Sequence, residues 1–248
     1  MKENKIPAAT ILRLSIYYRF LQELLQDNIG VVSSAQLAKH TNVNPAQLRK
    51  DLSYFGRFGV RGVGYDVAGL AEQISMILGL EKTWKIALIG VGNIGTALLK
   101  HKRFNEHGYN IVAAFDANPD LAGTKTSTDI TIQPISELAD TIKAQDIDIA
   151  IIAVPPESAQ QVADEVVKAG IKGILNFAPV RLKVPSDVSI QHVDFTILLD
   201  TLSYSLAQNV NTREKHVQKD KPFKNVQGWS RAHSWPVANA NFVVSASQ

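Results

Sequence analysis

Three glycines between residues 90 and 95 have the spacing of a turn that binds a dinucleotide. The segment reads Gly90-Val91-Gly92-Asn93-Ile94-Gly95, and it follows the apolar run Lys85-Ile86-Ala87-Leu88-Ile89. A second apolar run, Ile111-Val112-Ala113-Ala114-Phe115, ends on Asp116, about 20 residues after the last glycine. A strand, a glycine-rich turn, a helix and a second strand that ends on an acid are the parts of a βαβ dinucleotide site. The sequence therefore predicts such a site here.

Each residue of this motif has its own expected task. Gly90 permits the tight turn, Gly92 lets backbone N–H groups approach a pyrophosphate, and Gly95 lets the helix lie close to its strand. The pyrophosphate is then favoured by the unpaired N–H groups and positive dipole of the helix N-terminus. Asp116 can accept hydrogen bonds from both ribose hydroxyls and would repel a 2′-phosphate, which favours NAD(H) over NADP(H). CoA is the main competing ligand.

Two further loops are expected at the same edge of the sheet. Residues 147–154 and 173–177 are almost wholly apolar, as buried parallel strands are. Ligands bind beyond the carboxyl ends of such strands in open α/β sheets. We therefore expect the loops after these strands to contribute to the cofactor site through Val154, Pro155, Asn176, Phe177, Ala178 and Pro179.

The length and composition indicate two ordinary domains. A chain of 248 residues can bury two cores. No apolar run approaches the ~20 residues of a bilayer span, and the segment Met1–Pro7 does not resemble a secretion signal. Because the chain has no cysteine, disulfides, thiolate metal sites and thiol-based redox sensing are excluded. We expect a cytoplasmic protein with no metal site and no membrane partner.

The net charge of +3 is unevenly distributed along the chain. Residues 1–65 carry about +5, residues 66–208 about −6, and the remaining residues about +4. A basic N-terminal module beside an acidic body favours contact between the first segment and a polyanion.

The first 55 residues predict a helix-turn-helix. Apolar residues recur at helical spacing between Pro7 and Gln26, at Leu12, Ile16, Phe20, Leu21, Leu24 and Leu25. A short helix then precedes Asn44-Pro45, a capping residue followed by proline at the first helical position. The helix that follows places Leu48, Leu52 and Phe55 on an inward stripe. The side chains left available for a DNA groove are Gln47, Arg49, Lys50, Ser53 and Tyr54.

The segment from residue 56 to 65 predicts a wing. It is rich in glycine and carries two arginines, Arg57 and Arg61, near the tip of a small hairpin. Arginine in this position can enter a narrow minor groove, where the negative potential is strongest. A solvated hairpin without a DNA contact is the simpler alternative.

The remaining segments complete the expected order. A helix is predicted over residues 67–80, a linker over 81–83, a helix over 158–168 and a strand over 188–194. An apolar helix from Thr196 to about Ala207 needs a partner surface. Beyond Gln208 the chain is polar and aperiodic, which predicts a poorly ordered tail.

Several motifs in fixed order resemble the Rex family of redox-sensing transcriptional repressors, over about residues 5 to 208. They are Tyr17-Tyr18-Arg19-Phe20, Arg49-Lys50-Asp51-Leu52-Ser53-Tyr54-Phe55-Gly56, Gly62-Val63-Gly64-Tyr65, the glycine turn and Asn176-Phe177-Ala178-Pro179. The resemblance implies a homodimer that binds palindromic operator DNA in the apo or NAD⁺ state. It also implies release by NADH, so that the NADH/NAD⁺ ratio controls transcription.

The resemblance completes the expected fold and adds a switch. The fold is α/β, with a winged-helix DNA-binding domain over residues 1–80 and a Rossmann-like NAD(H)-binding domain over 81–195. A C-terminal dimer-exchange helix follows over 196–208, and the tail covers 209–248. Arg13 and Asp194 match family positions whose pairing depends on the cofactor. Their partner in the helix after Gly95 is expected to be His101, where some relatives have tyrosine.

Two other functions are compatible with the glycine motif. An NAD-dependent oxidoreductase with an accessory N-terminal domain needs a proton donor beside the nicotinamide, and His192 is the candidate. That isolated histidine has no identifiable acid partner in the sequence. A CoA-binding ligase fragment would use a similar glycine-rich fold, but it gives the N-terminal helices no task.

Overall fold

The computed structural model describes residues 6–60 and 62–217, with side chains to residue 208. Arg61 of the expected wing and residues 218–248 of the expected tail lie outside the described residues. Within the described part, no helix is long and apolar enough to cross a membrane.

The described N-terminal part is built from four helices and one pair of short strands. Ser33 begins the second helix with a capping box, and Asn44 caps the third, in which Pro45 is the first residue. The two strands pair antiparallel. The elements are α1 (Ala8–Gln26), β1 (Val31–Val32), α2 (Ser34–His40), α3 (Pro45–Ser53), β2 (Tyr65–Asp66) and α4 (Val67–Leu78).

Helix α1 buries only part of the apolar stripe that the sequence predicts, which is the part that includes Leu21 and Leu24. Leu12 and Ile16 are 37% and 38% exposed. The buried residues are Thr10, Leu14, Tyr17, Leu21 and Leu24. This stripe includes a threonine and a tyrosine because both hydroxyls donate hydrogen bonds to a buried carboxylate on α3. A count of apolar residues cannot detect that requirement.

The second part is a six-stranded parallel sheet in the order β5-β4-β3-β6-β7-β8. Its strands are β3 (Trp84–Ile89), β4 (Tyr109–Asp116), β5 (Ile132–Pro134), β6 (Ile149–Ile152), β7 (Gly173–Asn176) and β8 (Ser189–His192). Its helices are α5 (Asn93–Leu99), α6 (Arg103–Glu106), α7 (Leu138–Ala144) and α8 (Pro156–Ala169), with short 3₁₀ turns at Pro119–Leu121 and Ile135–Glu137. The strand order is that of a Rossmann fold.

The two faces of this sheet are buried to different extents. On one face, buried side chains of the strands pack with those of α7 and α8 in the largest core, which includes Phe115, Leu138 and Val166. On the other face, Leu88 and Leu99 form a smaller cluster. Ile149, Leu175 and Phe177 pack against that cluster and are only partly buried.

The C-terminal helix is longer than the sequence predicts. Residues from Asp194 onward form a unit separate from the chain up to Val193. Helix α9 begins at Phe195 and ends at Val217, so its last nine residues lie where the sequence predicts a poorly ordered tail. Residues 209–217 continue α9 as helix. They lack apolar periodicity but contain no glycine or proline, so nothing in them breaks a helix.

Candidate cofactor site and DNA-binding surface

The glycine turn connects β3 to α5, as the sequence predicts, and two of its glycines are required by the protein itself. A Cβ on Gly90 would lie 2.5 Å from the carbonyl oxygen of Ala153, and the φ of Gly90 is +96°. A Cβ on Gly95 would lie 2.0 Å from the carbonyl oxygen of Gly90. Both distances are too short for any side chain, so these glycines allow the turn, the helix and the loop after β6 to pack together.

Gly92 has a different environment. It lies just before α5 and has no protein atom within 4 Å of the position of a Cβ. It offers no capping side chain to the first turn of the helix. The next two residues, Asn93 and Ile94, are exposed. The protein does not need a glycine here for its own packing, so the open space and bare backbone suit an anionic ligand.

Asp116 lies at the end of β4 and contacts the glycine turn directly. Its Oδ2 accepts a hydrogen bond from the N–H of Val91 at 2.7 Å, and its Oδ1 accepts one from the N–H of Asn118 at 2.8 Å. Each carboxylate oxygen can accept more than one hydrogen bond. Asp116 can therefore hold the turn in place and still accept hydrogen bonds from ribose hydroxyls.

The loops after β6 and β7 lie beside the glycine turn. The N–H of Ala153 donates to the carbonyl of Ile89, and the N–H of Phe177 donates to that of Ile152, both at 2.8 Å. Val154 and Pro155 follow the first of these residues, and residues 178–179 follow the second. Strands β3 and β6 are neighbours at the point where the strand order reverses, which is where α/β sheets bind ligands.

Asn176 supports the loop from within and differs from its predicted task. Its side chain is fully buried, and its Nδ2 lies 3.0 Å, 2.9 Å and 3.1 Å from the Ala178 carbonyl, the Val180 carbonyl and His192 Nδ1. Its Oδ1 accepts from the N–H of Ala178. The side-chain amide of Asn176 is therefore bonded within the protein, and its expected contact with a cofactor stays a prediction. Burial, together with the nearby charge of Arg181, lowers the pKa of His192.

The outer side of α3 forms a polar and basic surface with the wing. Arg49, Lys50 and Ser53 are exposed, and Arg57 is exposed in the segment that follows. Arg49 Nη1 donates to Ser34 Oγ at 3.3 Å, which joins α3 to the start of α2. A cleft of about 710 Å³ opens between these elements, and its lining includes Ser33, Ser34, Arg49, Ser53, Gly56, Arg57, Val60 and Val63. Tyr54 is partly buried beside it.

The wing itself is short. Val60 and Gly64 form an isolated antiparallel bridge, which closes a short hairpin. A Cβ on Gly64 would lie 2.5 Å from the carbonyl oxygen of Val32, so the base of the wing packs tightly on β1. This close contact positions the hairpin beside α3.

Gln47 does not face outward as the sequence predicts. It is partly buried, and its Nε2 donates to Asp51 Oδ1 at 2.9 Å. Asp51 is fully buried and also accepts hydrogen bonds from Arg13, Thr10 and Tyr17. The sequence reasoning missed Asp51. The available signal was an acid one position before Leu52, inside an otherwise apolar and inward-facing stripe.

The three residues of the expected switch each have a local partner. Arg13 donates to Asp51 through Nε at 2.6 Å and through Nη2 at 2.7 Å. The His101 ring packs against that of Phe104 with a centroid separation of 5.0 Å. Thr196 donates to Asp194, and these hydrogen bonds lower the pKa of that carboxyl.

His101 is also not part of the helix after Gly95, contrary to the prediction. Helix α5 ends at Leu99, and His101 lies in the turn that leads into α6. It is exposed and lines a cleft of about 460 Å³ together with Leu98, Phe104, Ile111 and Thr128.

A winged helix followed by a Rossmann sheet defines a class of protein, a DNA-binding regulator that carries a nucleotide-binding domain. Residues 5–53 match the family model described as a putative DNA-binding protein N-terminus. Residues 81–180 match the model described as a CoA binding domain.

Similar proteins identify the family within this class. The redox-sensing transcriptional repressor Rex of Syntrophobacter fumaroxidans is 53% identical over 207 residues, which are 84% of this chain and 99% of that protein. The Rex-family repressor RSP in complex with β-NAD⁺ and operator DNA superposes with a TM-score of 0.78 at 39% identity, over 88% of this chain and 99% of RSP. RSP in complex with β-NADH superposes with a TM-score of 0.77 at 37% identity, over 85% of this chain and 99% of RSP. The chain belongs to the Rex family of redox-sensing transcriptional repressors, which confirms the resemblance and the fold class.

Proposed function

We propose that this chain is a repressor that binds palindromic operator DNA as a homodimer in its apo or NAD⁺ state and leaves the DNA when it binds NADH. The observation that carries the proposal is the glycine turn, open at Gly92 and bonded to Asp116, in the same chain as an exposed basic helix, α3. The Rex-family repressor RSP, similar over nearly its whole length, forms complexes with β-NAD⁺ and operator DNA and with β-NADH.

The proposed cofactor site combines the turn with the neighbouring strand ends. The backbone from Val91 to Ile94 would hold the pyrophosphate. Asp116 would accept hydrogen bonds from the ribose hydroxyls. Val154, Pro155 and residues 177–179 line the side of the site toward β6 and β7. Asp116 also argues against CoA, because the adenosine of CoA carries a 3′-phosphate that a carboxylate would repel.

The proposed DNA contacts come from α3 and the wing. Arg49, Lys50 and Ser53 face outward and can reach phosphates or base edges. Tyr54 and Arg57 extend this surface toward the wing, and Arg61 is proposed to enter the minor groove. Gln47 is assigned a supporting task, since its amide is bonded to Asp51.

We assign residues 1–80 to DNA binding and residues 81–195 to cofactor binding. Helix α9 is proposed to exchange between the two subunits, which would cover its large apolar side chains. Those that are exposed in the described chain are Phe195, Ile197, Leu198, Leu199, Leu202, Tyr204 and Leu206. In the dimer, we propose that Asp194 and His101 compete for Arg13 according to the cofactor that is bound.

We propose further that the chain catalyses no reaction. Its curated relatives are named as repressors. His192, the candidate proton donor, has its Nδ1 bonded to the buried Asn176. The oxidoreductase alternative requires a substrate whose addition oxidises NADH at a measurable rate.

The test is operator binding at fixed salt concentration with no cofactor, with NAD⁺ and with NADH. Purified protein is titrated by fluorescence anisotropy into a panel of palindromic duplexes and one scrambled duplex. We expect a specific complex that only NADH removes. Tight NADH binding without specific DNA binding in any state would contradict the proposal and favour the oxidoreductase.

A further inference from the structure

Asp51 is a buried carboxylate in the proposed recognition helix α3, and it faces away from the proposed DNA surface. Its side chain has no solvent exposure. It accepts hydrogen bonds from four other side chains, which belong to Thr10, Arg13, Tyr17 and Gln47. A charge buried in this way is costly unless it is paired and fully hydrogen-bonded. Such a group is therefore expected to have a task that an apolar residue could not perform.

Three of the four donors lie on one stripe of α1. Thr10, Arg13 and Tyr17 are spaced by three and four residues, so their side chains emerge from the same face of the helix. The Thr10 hydroxyl is 3.1 Å from Oδ1, the Tyr17 hydroxyl is 2.8 Å from Oδ2, and Arg13 contacts both oxygens. The contacts extend over two turns of α1 and converge on one side chain of α3.

The carboxylate remains charged in this environment. Burial alone would raise the pKa of Asp51, but hydrogen bonds from Arg13, Tyr17 and Gln47 outweigh burial and hold the pKa below its usual value. The Arg13 guanidinium supplies the balancing charge. The Arg13 side chain is 24% exposed, so solvent contacts the ion pair from the α1 side but not from the α3 side.

The position of Asp51 on α3 determines where the outward side chains point. Successive residues of an α-helix are about 100° apart, so Arg49 and Ser53 each lie about 160° from Asp51. They are on the opposite face of the helix and only about 40° from each other. Fixing Asp51 to α1 therefore fixes the rotation of α3 about its own axis and the direction of Arg49 and Ser53.

We infer that Asp51 is a positioning residue for operator recognition, which latches α3 to α1 through Thr10, Arg13 and Tyr17. The inference rests on the proposed function and names the contact by which a movement of α1 would reach the recognition helix. Apolar packing alone, through Leu48 and Leu52, would hold α3 in the domain without setting its rotation so closely.

The test compares Asp51→Asn, Tyr17→Phe and the control Asp27→Asn. Asp27 is exposed at the end of α1 in the same domain, so the control makes the same charge change without touching the latch. Tyr17→Phe keeps the buried ring and removes one hydrogen bond to Asp51. It therefore tests the same contacts if Asp51→Asn does not fold. For each variant we measure affinity for operator and scrambled DNA, NADH affinity, and amide hydrogen exchange of residues 46–53.

We expect Asp51→Asn to lower operator affinity by about fivefold or more and Tyr17→Phe by a smaller factor, since the loss of one base contact costs about this much or more. Affinity for scrambled DNA and for NADH should change by less than about threefold, and exchange in α3 should be faster than in the control. A purely structural role would instead lower both DNA affinities in proportion to the unfolded fraction, and that result would overturn the inference.

Unchanged operator affinity and unchanged α3 exchange in both folded variants would also overturn it. If the parent protein prefers no operator in any cofactor state, the proposed function fails. The hydrogen-exchange measurement then tests by itself whether Asp51 holds α3 against α1. Faster exchange confined to α3 then supports it, and equal exchange rejects it.

Discussion

Asp116 has two tasks in the proposed site, and the structure separates them. Its bonds to the N–H groups of Val91 and Asn118 are made within the protein, so they hold the glycine turn before any ligand binds. The ribose contact is an additional proposed task, which uses the remaining lone pairs. A substitution at this position is therefore expected to weaken the cofactor's attachment and to loosen the turn.

We predict that Asp116→Ala lowers NADH affinity by at least about tenfold, because a hydrogen bond to a charged group is worth about 1.5–3 kcal/mol. The preference for NADH over NADPH should also fall, since the carboxylate that repels the 2′-phosphate is gone. Isothermal titration with both cofactors measures this. Asp120→Ala, at a nearby exposed acid, is the control. An Asp116→Ala variant with normal NADH affinity and normal discrimination would show that the ribose assignment is wrong.

We predict a contribution of Asp51 to acid unfolding. Its pKa is lowered in the folded protein, so the unfolded chain takes up the proton first. The stabilisation is present above the unfolded pKa of about 4 and is lost as the pH falls through the lowered folded value. Urea unfolding at pH 7 and pH 3 should show a smaller pH effect in Asp51→Asn than in the parent. Asp129→Asn, at an exposed ion pair, should retain the parent's pH effect.

At the scale of elements, the turn between β3 and α5 contains two glycines that are expected to be needed for different reasons. Gly95 lets α5 pack on the turn, whereas Gly92 leaves space that no protein atom fills. The sequence predicted both tasks from spacing alone. The two tasks can be tested independently, because a side chain at position 95 would disturb the packing of the protein, whereas one at position 92 would disturb ligand binding.

We predict that Gly95→Ala destabilises the protein by about 1–3 kcal/mol or more, since its Cβ would overlap the Gly90 carbonyl oxygen. Gly92→Ala should melt within about 2 °C of the parent, because its site is open and its φ is −71°. It should still lose at least about tenfold in NADH affinity, since the methyl group stands where the pyrophosphate approaches. Thermal melts with NADH titrations measure both. Normal NADH binding by Gly92→Ala would place the pyrophosphate elsewhere.

The features that the sequence predicted are local ones. The capped start of α3, the glycine turn and the apolar strands β6 and β7 are each encoded within a short segment, so their patterns are visible without the fold. Their bounds were less accurate. Strand β6, for example, is shorter than its apolar run because residues 147–148 precede the strand and residues 153–155 already form the loop after it.

The features that the sequence missed depend on contacts between distant segments. Asp51 lies 34 and 41 residues from Tyr17 and Thr10, and no spacing rule connects them. Asn176 was expected to face a cofactor because it ends a strand, but its amide turns inward to His192 and the loop carbonyls. Polar residues in both cases are satisfied inside the protein, which hydropathy patterns cannot show.

At the scale of the whole molecule, α9 exposes a series of large apolar side chains along its first three turns. Leu199 and Leu202 are 60% and 55% exposed, and large apolar neighbours surround them on the same helix. Exposed patches of this size usually mark an interface. The proposed exchange between two subunits would bury them.

We predict that Leu199→Glu combined with Leu202→Glu raises the dimer dissociation constant by at least about three orders of magnitude, since each of the two subunits carries both changes. Burial of each leucine contributes about 2 kcal/mol, and the introduced charges remove that contribution. Sedimentation velocity over a concentration series measures the change. Ser203→Glu adds charge at an exposed polar position of α9 and is the control. A double variant that sediments as the parent does would exclude α9 from the interface.

We predict that the cofactor and DNA effects are reciprocal. If two bound NADH molecules lower the operator affinity of the dimer by about a hundredfold, saturating operator must lower the product of the two NADH affinities by the same factor, which is about tenfold per site for equivalent sites. NADH is titrated with operator, with scrambled duplex and without DNA. Unequal factors would mean that the dimer does not bind two NADH molecules and one operator in a reversible equilibrium.

The location of the turn and Asp116 has a consequence for what the protein reports. In the proposed site they bind the adenosine and pyrophosphate portion, which is identical in the oxidised and reduced cofactor. Each form therefore displaces the other, and an empty site becomes rare once their summed concentration is well above both dissociation constants. Above that concentration, doubling or halving the total nicotinamide pool at a constant NADH/NAD⁺ ratio leaves the fraction of repressor on DNA unchanged. Growth conditions that alter cofactor synthesis without altering its oxidation would leave transcription from the operator undisturbed.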